Sequence, residues 1–449
     1  MTRRYIFALW FPLALSVTLM MLEGPAVQGA IARLGAPALN LAAFGFVLSI
    51  QLILESPVIM LVSTAIALAT DAQSYRALKQ FVLWLTIGLT VLVGLVAWTP
   101  LFDFIGGSVM GMPAQIVAAG RPAMQIMLFW IAAIGWRRFY QGILVRYGQT
   151  RRVSFGTALR LASEVAVAVG GALWGGISGA SVGALALMVG VTVEAAAIYV
   201  MVRGCVRENL LRETETSTPL RLPTILRFHI PLAATSLLTL VVQPMTSAAL
   251  ARLAMPRDTL AAWPVVFSAL LVMRGWGMAM QETTIAQAKE PGMRAPLRRF
   301  TLIVAGATTA ATAVLAFTPL VDLYLRDVIG LAPELLGLAR LGIRLCLLLP
   351  AATALSSWLR GLLVAESATG IVYRGMMINL AANGVGLALG VGLRQPGVPV
   401  AALSLSCAMI VEYLYLRSRA GTSEAQSAAP RRAGWWASGR RVAAGRPRT

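Results

Sequence analysis

Histidine occurs once in this chain, at His229, and cysteine three times, at Cys205, Cys346 and Cys407. One imidazole and three scattered thiols supply no metal spacing, no disulfide framework and no histidine-dependent triad. No Walker loop, CxxC or HExxH pattern is present. ATP-driven work by this chain alone therefore has no residues to carry it. No converged nucleophile, base or metal site can be assembled, and neither a cofactor nor an enzymatic activity is expected.

Charge is scarce as well, and mostly of one sign. Asp and Glu number 18 against 38 Lys and Arg, and charged residues make up 12% of the 449 positions. Soluble domains carry about 25%. With a mean hydropathy of +0.76, the chain cannot coat a water-soluble globule, and lipid is the solvent for most of it. A net charge of +20 suggests nucleic acid in a soluble protein. Here the arginines lie between apolar runs and in the tail, where membrane topology accounts for them. No nucleic-acid partner is expected.

What is abundant is apolar sequence in runs long enough to cross a ~30 Å hydrocarbon core. Six such runs fall near 6–30, 38–68, 81–102, 122–145, 155–175 and 180–202, and six more near 229–250, 259–287, 300–321, 335–364, 371–393 and 398–416. With the N-terminus inside, the cytoplasmic segments collect most of the basic residues, from Arg3, Arg4, Arg76 and Lys79 through Arg146, Arg151, Arg152 and the 203–227 arginines to Lys289, Arg294, Arg298, Arg299, Arg374 and Arg417. The opposite side holds Arg33, Arg121, Arg252, Arg257, Arg326 and Arg394. That asymmetry places both termini in the cytoplasm of an inner (plasma) membrane protein. The first run has the basic n-region of a signal peptide, but its sequence recurs inside the chain, so it is read as a span.

The recurrence is gapless. Pro12-Leu13-Ala14 falls on Pro231-Leu232-Ala233, an offset of 219 residues, and the same offset carries Pro25 onto Pro244, Ala32-Arg33-Leu34 onto Ala251-Arg252-Leu253, and Pro37 onto Pro256. Far downstream it still carries Thr99-Pro100-Leu101 with Asp103 onto Thr318-Pro319-Leu320 with Asp322, Arg121 onto Arg340, and Gly142 onto Gly361. Chance apolar similarity does not keep Pro, Gly, Asp and Arg in register. The expected fold is an all-α polytopic membrane protein of 12 transmembrane helices. Its six-helix halves, 1–202 and 229–417, are parallel repeats about a pseudo-twofold along the membrane normal. A cytoplasmic linker, 203–228, joins them. A basic tail, 418–449, is expected to be disordered, with Trp435-Trp436 at the lipid interface.

Proline in the first span of each half, and the pattern Arg33-Leu34-Gly35…Leu41-Ala42-Ala43…Gly45, are similar to the multidrug/oligosaccharidyl-lipid/polysaccharide (MOP) exporter superfamily. The first half resembles its multidrug and toxic-compound extrusion (MATE) branch. Gly142-Ile143-Leu144-Val145…Thr150, with Gly275-Trp276, also resembles the progressive-ankylosis branch. The resemblance implies a two-lobe export fold. It also implies a coupling cation, proton or sodium, handled by first-lobe carboxylates. Glu23 beside Pro25 is the matching position, and the family's usual acidic residue lower in that lobe is not evident.

A charge inside a span costs about 2.5 kcal/mol or more at the bilayer centre, so each one marks a candidate. These are Glu23, Glu55, Arg137, Arg138, Arg160, Glu164, Glu194, Arg274, Glu282, Arg360 and Glu412, with Asn379 and Asn383 at the repeat positions of Arg160 and Glu164. Arg137, Arg138, Arg274, Arg360 and Asn383 are expected to bind substrate, and Glu23, Glu55, Glu164 and Glu282 to couple or gate. Glu55 and Arg274 share one repeat position, which suggests a gate across the lobes. Pro25, Pro57, Pro244 and Gly275 are the expected hinges. Blander readings stand beside these. Arg138 and Arg360 reach headgroups by snorkelling, Arg160 and Glu164 form a local i,i+4 pair, and Glu194, Glu282 and Glu412 lie solvated near helix ends. Among the inner residues, five arginines against Glu55, Glu164 and Glu282 leave two positive charges in excess, which favours an anionic cargo. The expected function is secondary export of an anionic or amphipathic solute by alternating access. A flippase for a lipid-linked saccharide and a cation-coupled multidrug antiporter are the alternatives. The partners are thus a small-molecule or lipid-linked substrate, membrane lipid and a coupling cation.

Overall fold

The computed structural model describes residues 2–147, 149–211, 220–288, 292–366 and 368–428. Helices account for nearly all of them, and no strand occurs among the described residues beyond one isolated bridge between Ala254 and Pro396. Nine helices in this set are long and apolar enough to cross a membrane, and two pairs, Ala114–Ile126 with Trp130–Arg146 and Pro333–Leu345 with Leu349–Ala365, bend by 46° and 41° to make the fourth and tenth spans. The first span is the broken pair Thr2–Met21 and Glu23–Ala32. The twelve segments fall into two halves of even number, so both halves run through the membrane in the same direction.

The halves repeat down to backbone irregularities. Left-handed residues at Ala36, Gly111 and Gly175 (φ 51°, 70° and 66°) recur at Met255, Gly330 and Arg394 (50°, 76° and 50°), each pair 219 apart. Non-glycine residues rarely adopt this region, so its retention at Met255 and Arg394 marks an inherited backbone. A short π-helix, Phe104–Val109, follows the third span, and a second, Leu323–Ile329, follows the ninth. Beside each, an arginine of the next span grips the aspartate before the π-turn: Arg121 with Asp103, and Arg340 with Asp322.

The hinge residues divide. Pro25 and Pro244 sit in the first turns of Glu23–Ala32 and Val242–Leu250, just after interruptions at Leu22 and Val241, where a missing N–H costs nothing. The second span breaks at Met60, three residues after Pro57. Gly275 differs: it lies within the unbroken helix Pro256–Met278, and the interruption falls at Ala279. A Cβ there would touch Val17 and Thr18 of the first span, so Gly275 admits a close approach between lobes.

Helix boundaries depart from the sequence expectation on one face. The sixth span (Gly179–Asn209) runs past 202 because Val202, Cys205 and Val206 continue its buried stripe, and the seventh begins at Leu222, with Ile225 buried. The expected linker shrinks accordingly, and its centre, 212–219, lies outside the described residues. The twelfth span extends to Ala428, so the first part of the expected disordered tail is helical. A preformed helix end propagates cheaply through Ala, Glu and Gln. The remaining tail, with Trp435-Trp436, lies outside the described residues, as does Lys289.

Candidate functional site

On the first lobe, four spans converge on a buried ionic cluster. Arg137 of the fourth span meets Glu194 of the sixth at 2.5 Å. Gln141 and Thr157 donate to the other Glu194 oxygen, at 3.0 and 3.2 Å. Arg160 of the fifth span donates from Nε to Glu164 at 2.7 Å, grips Glu23 of the first span through Nη2, and stands 4.0 Å from Glu194. Glu23 reaches Arg160 because the break at Leu22 frees that stretch of the first span. Two arginines thus face three carboxylates, and one Glu164 oxygen is buried without a hydrogen-bond partner. Glu55 is buried nearby, with Arg138 as its strongest opposing charge and one oxygen likewise unpartnered.

This arrangement corrects several expectations. Glu194 and Glu412, taken as solvated, are each 0% exposed. Both helices run well beyond the expected ends, so these residues sit within them rather than at the margin. Together with Glu23 they turn the two-charge arginine excess inferred for the inner residues into an excess of one carboxylate. Arg137, expected to bind substrate, is instead 5% exposed and engaged by Glu194. Glu55 and Arg274 do not pair. Repeat-equivalent residues lie across the pseudo-twofold, and Arg274 donates from Nε to Thr353 at 2.8 Å instead.

The second lobe has diverged in its chemistry. Asn379 and Asn383 replace Arg160 and Glu164. Glu412 accepts from Arg360 (2.7 Å from Nε) and from Asn379 (3.0 Å). Asn383 is buried with neither amide atom hydrogen-bonded. Between the eighth and tenth spans lies a cavity of about 250 Å³ lined by Arg274, Thr353, Ser357 and Arg360, with Glu282 exposed at its side. Arg274 has no carboxylate partner among the described residues, so its guanidinium presents donors to this cavity. Arg360 lines the same cavity rather than reaching lipid.

On the face away from the termini, the lobes are tied together twice. Arg33, ending the first span, donates from Nη1 to the Gly29 and Ile329 carbonyls (2.6 and 3.0 Å) and from Nη2 to those of Asp327 and Val328 (2.6 and 2.8 Å). Arg252, ending the seventh, donates from Nη1 to Ala248 and Met110 (both 2.7 Å) and from Nη2 to Val109 (2.5 Å). Each guanidinium caps the carbonyl end of the other lobe's π-turn, where such groups lack intrahelical partners. On the terminal face the crossings are thinner: Trp10 Nε1 to the Trp276 carbonyl (3.0 Å), Ser236 to the Ser56 carbonyl (2.6 Å), and Thr64 with His229 (2.9 Å).

Sequence reasoning used Arg33 and Arg252 as markers of topology, repeat and family pattern and gave them no part in closing the lobes. It also passed over Gly179-Ala180-Ser181-Val182-Gly183, which spells GxSxG. Ser181 there is buried in the first turn of the sixth helix and bonded to Ser178, without the strand–turn–helix setting of a nucleophile.

No protein-family profile matches the chain, and no curated protein matches it by sequence. Solved structures match its fold. An inward-facing multidrug-resistance MATE transporter of the MOP superfamily superposes with a TM-score of 0.69 at 15% identity, over 94% of this chain and 99% of that one. An outward-facing MATE transporter of the same superfamily gives 0.58 at 17%, over 94% and 97%. The lipid II flippase MurJ, in an inward closed conformation, gives 0.69 at 12%, over 92% and 87%. The chain therefore shares the two-lobe fold of these transporters.

Proposed function

We propose that the protein is a secondary carrier that exports an anionic or amphipathic solute by alternating access, with its termini in the cytoplasm of the inner membrane. The observation that carries this reading is the divergence of two equivalent sites. The first lobe buries one carboxylate more than its arginines neutralise, which is expensive unless a cation joins it. The second lobe offers Arg274 unpaired in a cavity, which suits a carboxylate or phosphate. A proton or sodium ion at Glu23, Glu164 and Glu194 and an anion at Arg274 give the two ligands that coupled transport requires. The closer superposition on the inward-facing than on the outward-facing MATE structure agrees with clasps that close the far face.

Flux of a radiolabelled anion library into proteoliposomes, under imposed proton or sodium gradients, tests this. Saturable, gradient-dependent flux lost in Arg274→Ala supports it, whereas equal flux in that variant removes the anion site. A lipid-linked cargo is the second reading. An apolar groove of about 260 Å³, lined by Thr18, Val272, Met273, Trp276, Thr308 and Ala311, lies along the eighth helix beside Arg274 and has room for an acyl or prenyl chain. Flipping of a fluorescent polyprenyl phosphate in vesicles separates the two.

A further inference from the structure

A second cavity, of about 210 Å³, straddles the pseudo-twofold axis between the lobes. Its walls are repeat-related pairs, among them Gln28 with Ser247, Ser49 with Ser268, and Gly24 with Gln243. No lining side chain carries a charge. That separates it from the Arg274 cavity and from the ionic cluster.

The two walls are not equally occupied. On one, Gln28 is satisfied across the lobes, donating to the Pro264 carbonyl (3.3 Å) and accepting from Ser268 (2.7 Å), and Ser49 donates to its own helix. On the other, Trp263 is 3% exposed and its indole N–H meets no acceptor. The side chains of Gln243 and Ser247 make no hydrogen bond among the described residues. The Gln243 amide and the Ser247 hydroxyl can both donate into the chamber they line, so an acceptor oxygen suits this space. Trp263 and Phe267, with ring centroids 6.1 Å apart, add flat apolar surface. The volume is below the ~300–1,000 Å³ of sites for whole ligands and fits a single ring. Leu271 lines this chamber and Arg274 the anion cavity, three residues or about 4.5 Å apart on one helix.

We infer that the axial chamber is a subsite for an uncharged ring bearing oxygen acceptors, and that Arg274 holds the anionic group of the same solute. The inference rests on the carrier reading for Arg274 and adds what the rest of the cargo is: a polar, neutral, ring-sized moiety, as in a sugar phosphate.

The test is calorimetric binding to the full chain in nanodiscs with four probes: inorganic phosphate, cyclohexyl phosphate, glucose 6-phosphate and methyl glucoside. Glucose 6-phosphate is expected to bind about tenfold tighter than cyclohexyl phosphate, which has a ring but no oxygens on it. Trp263→Phe combined with Gln243→Leu should erase that difference and leave phosphate binding unchanged. Equal binding of the two esters, or a difference that survives the double variant, overturns the chamber while the anion site stands. Methyl glucoside binding that depends on Trp263, with no phosphate probe bound, keeps the chamber and defeats the anion reading. No saturable binding of any probe overturns both.

Discussion

Arg33 and Arg252 occupy the same position in the two halves, and each closes on backbone carbonyls of the half to which it does not belong. The relationship is reciprocal because the pseudo-twofold exchanges both the arginines and the π-turns they cap. Such contacts hold only while the far face is shut.

Replacing either arginine is therefore expected to favour opening of that face. Arg33→Ala and Arg252→Ala each remove charge-assisted bonds at a partly exposed site, worth about 1–2 kcal/mol after solvent screening, or roughly a 5–30-fold change in population. Electron–electron distance measurements between spin labels flanking the clasps on the two lobes check this. Similar shifts in the two single variants, and a larger one in the double, are expected. Unchanged distances in all three leave the clasps structural.

The first-lobe cluster makes opposite predictions for two glutamates. Glu194→Gln strips Arg137 of its carboxylate in a buried site and should cost about 3–5 kcal/mol, seen as a lowered Tm in detergent. Glu164→Gln removes the surplus negative charge and leaves Arg160 held by Glu23, so Tm should hold while flux loses its dependence on the proton or sodium gradient. Gradient-dependent flux that persists in Glu164→Gln excludes that carboxylate from coupling.

How much of this was legible in the sequence depends on which atoms carry each contact. The duplication was readable because Pro, Arg and Asp stay in register at one offset, and the left-handed pairs Ala36/Met255 and Gly175/Arg394 show how deep it runs. The clasps were not readable: backbone carbonyls are the acceptors, every residue has one, and nothing in the sequence marks a π-turn. Glu194 and Glu412 were misplaced because hydropathy locates the lipid core, not the ends of helices, which here run to Asn209 and Ala428. Glu55 and Arg274 share a register, and a shared register across a twofold axis does not bring residues into contact.

The third span opens on a capping box in which Asp71 accepts from the Gln73 and Ser74 amides (both 2.9 Å) while its own amide donates to Ser74 Oγ. Partial burial pushes the Asp71 carboxyl upward, but the hydrogen bonds from Ser74, Thr70 and Gln73 outweigh it and hold the group below its ordinary value of 3.8. Its contribution is thus fully present above that value and is lost as pH falls through the lowered folded value. Asp71→Ala should cost about 1 kcal/mol, read as roughly fivefold faster amide exchange in the first turn of the third span at neutral pH. Exchange in the variant should match that of the wild type in strong acid, and a difference persisting there argues against the cap.

Arg274 and Arg360 line one cavity, yet their removal should differ in kind. Arg360 neutralises Glu412, which is 0% exposed. Arg360→Ala leaves that carboxylate buried with only Asn379 as a donor among the described residues and is expected to cost about 3–5 kcal/mol of stability. Arg274 leans on Thr353 alone among the described residues, so Arg274→Ala removes a charge with no buried counter-charge and should leave Tm unchanged or slightly raised. If the cavity takes anions, Arg274→Ala loses transport while folding normally, and Arg274→Lys restores charge without the planar fork and recovers only part of it. Thermal unfolding and anion flux measured on the same preparations separate these outcomes. A fall in Tm with Arg274→Ala as large as with Arg360→Ala shows that the guanidinium is structural and removes the cavity as the anion site.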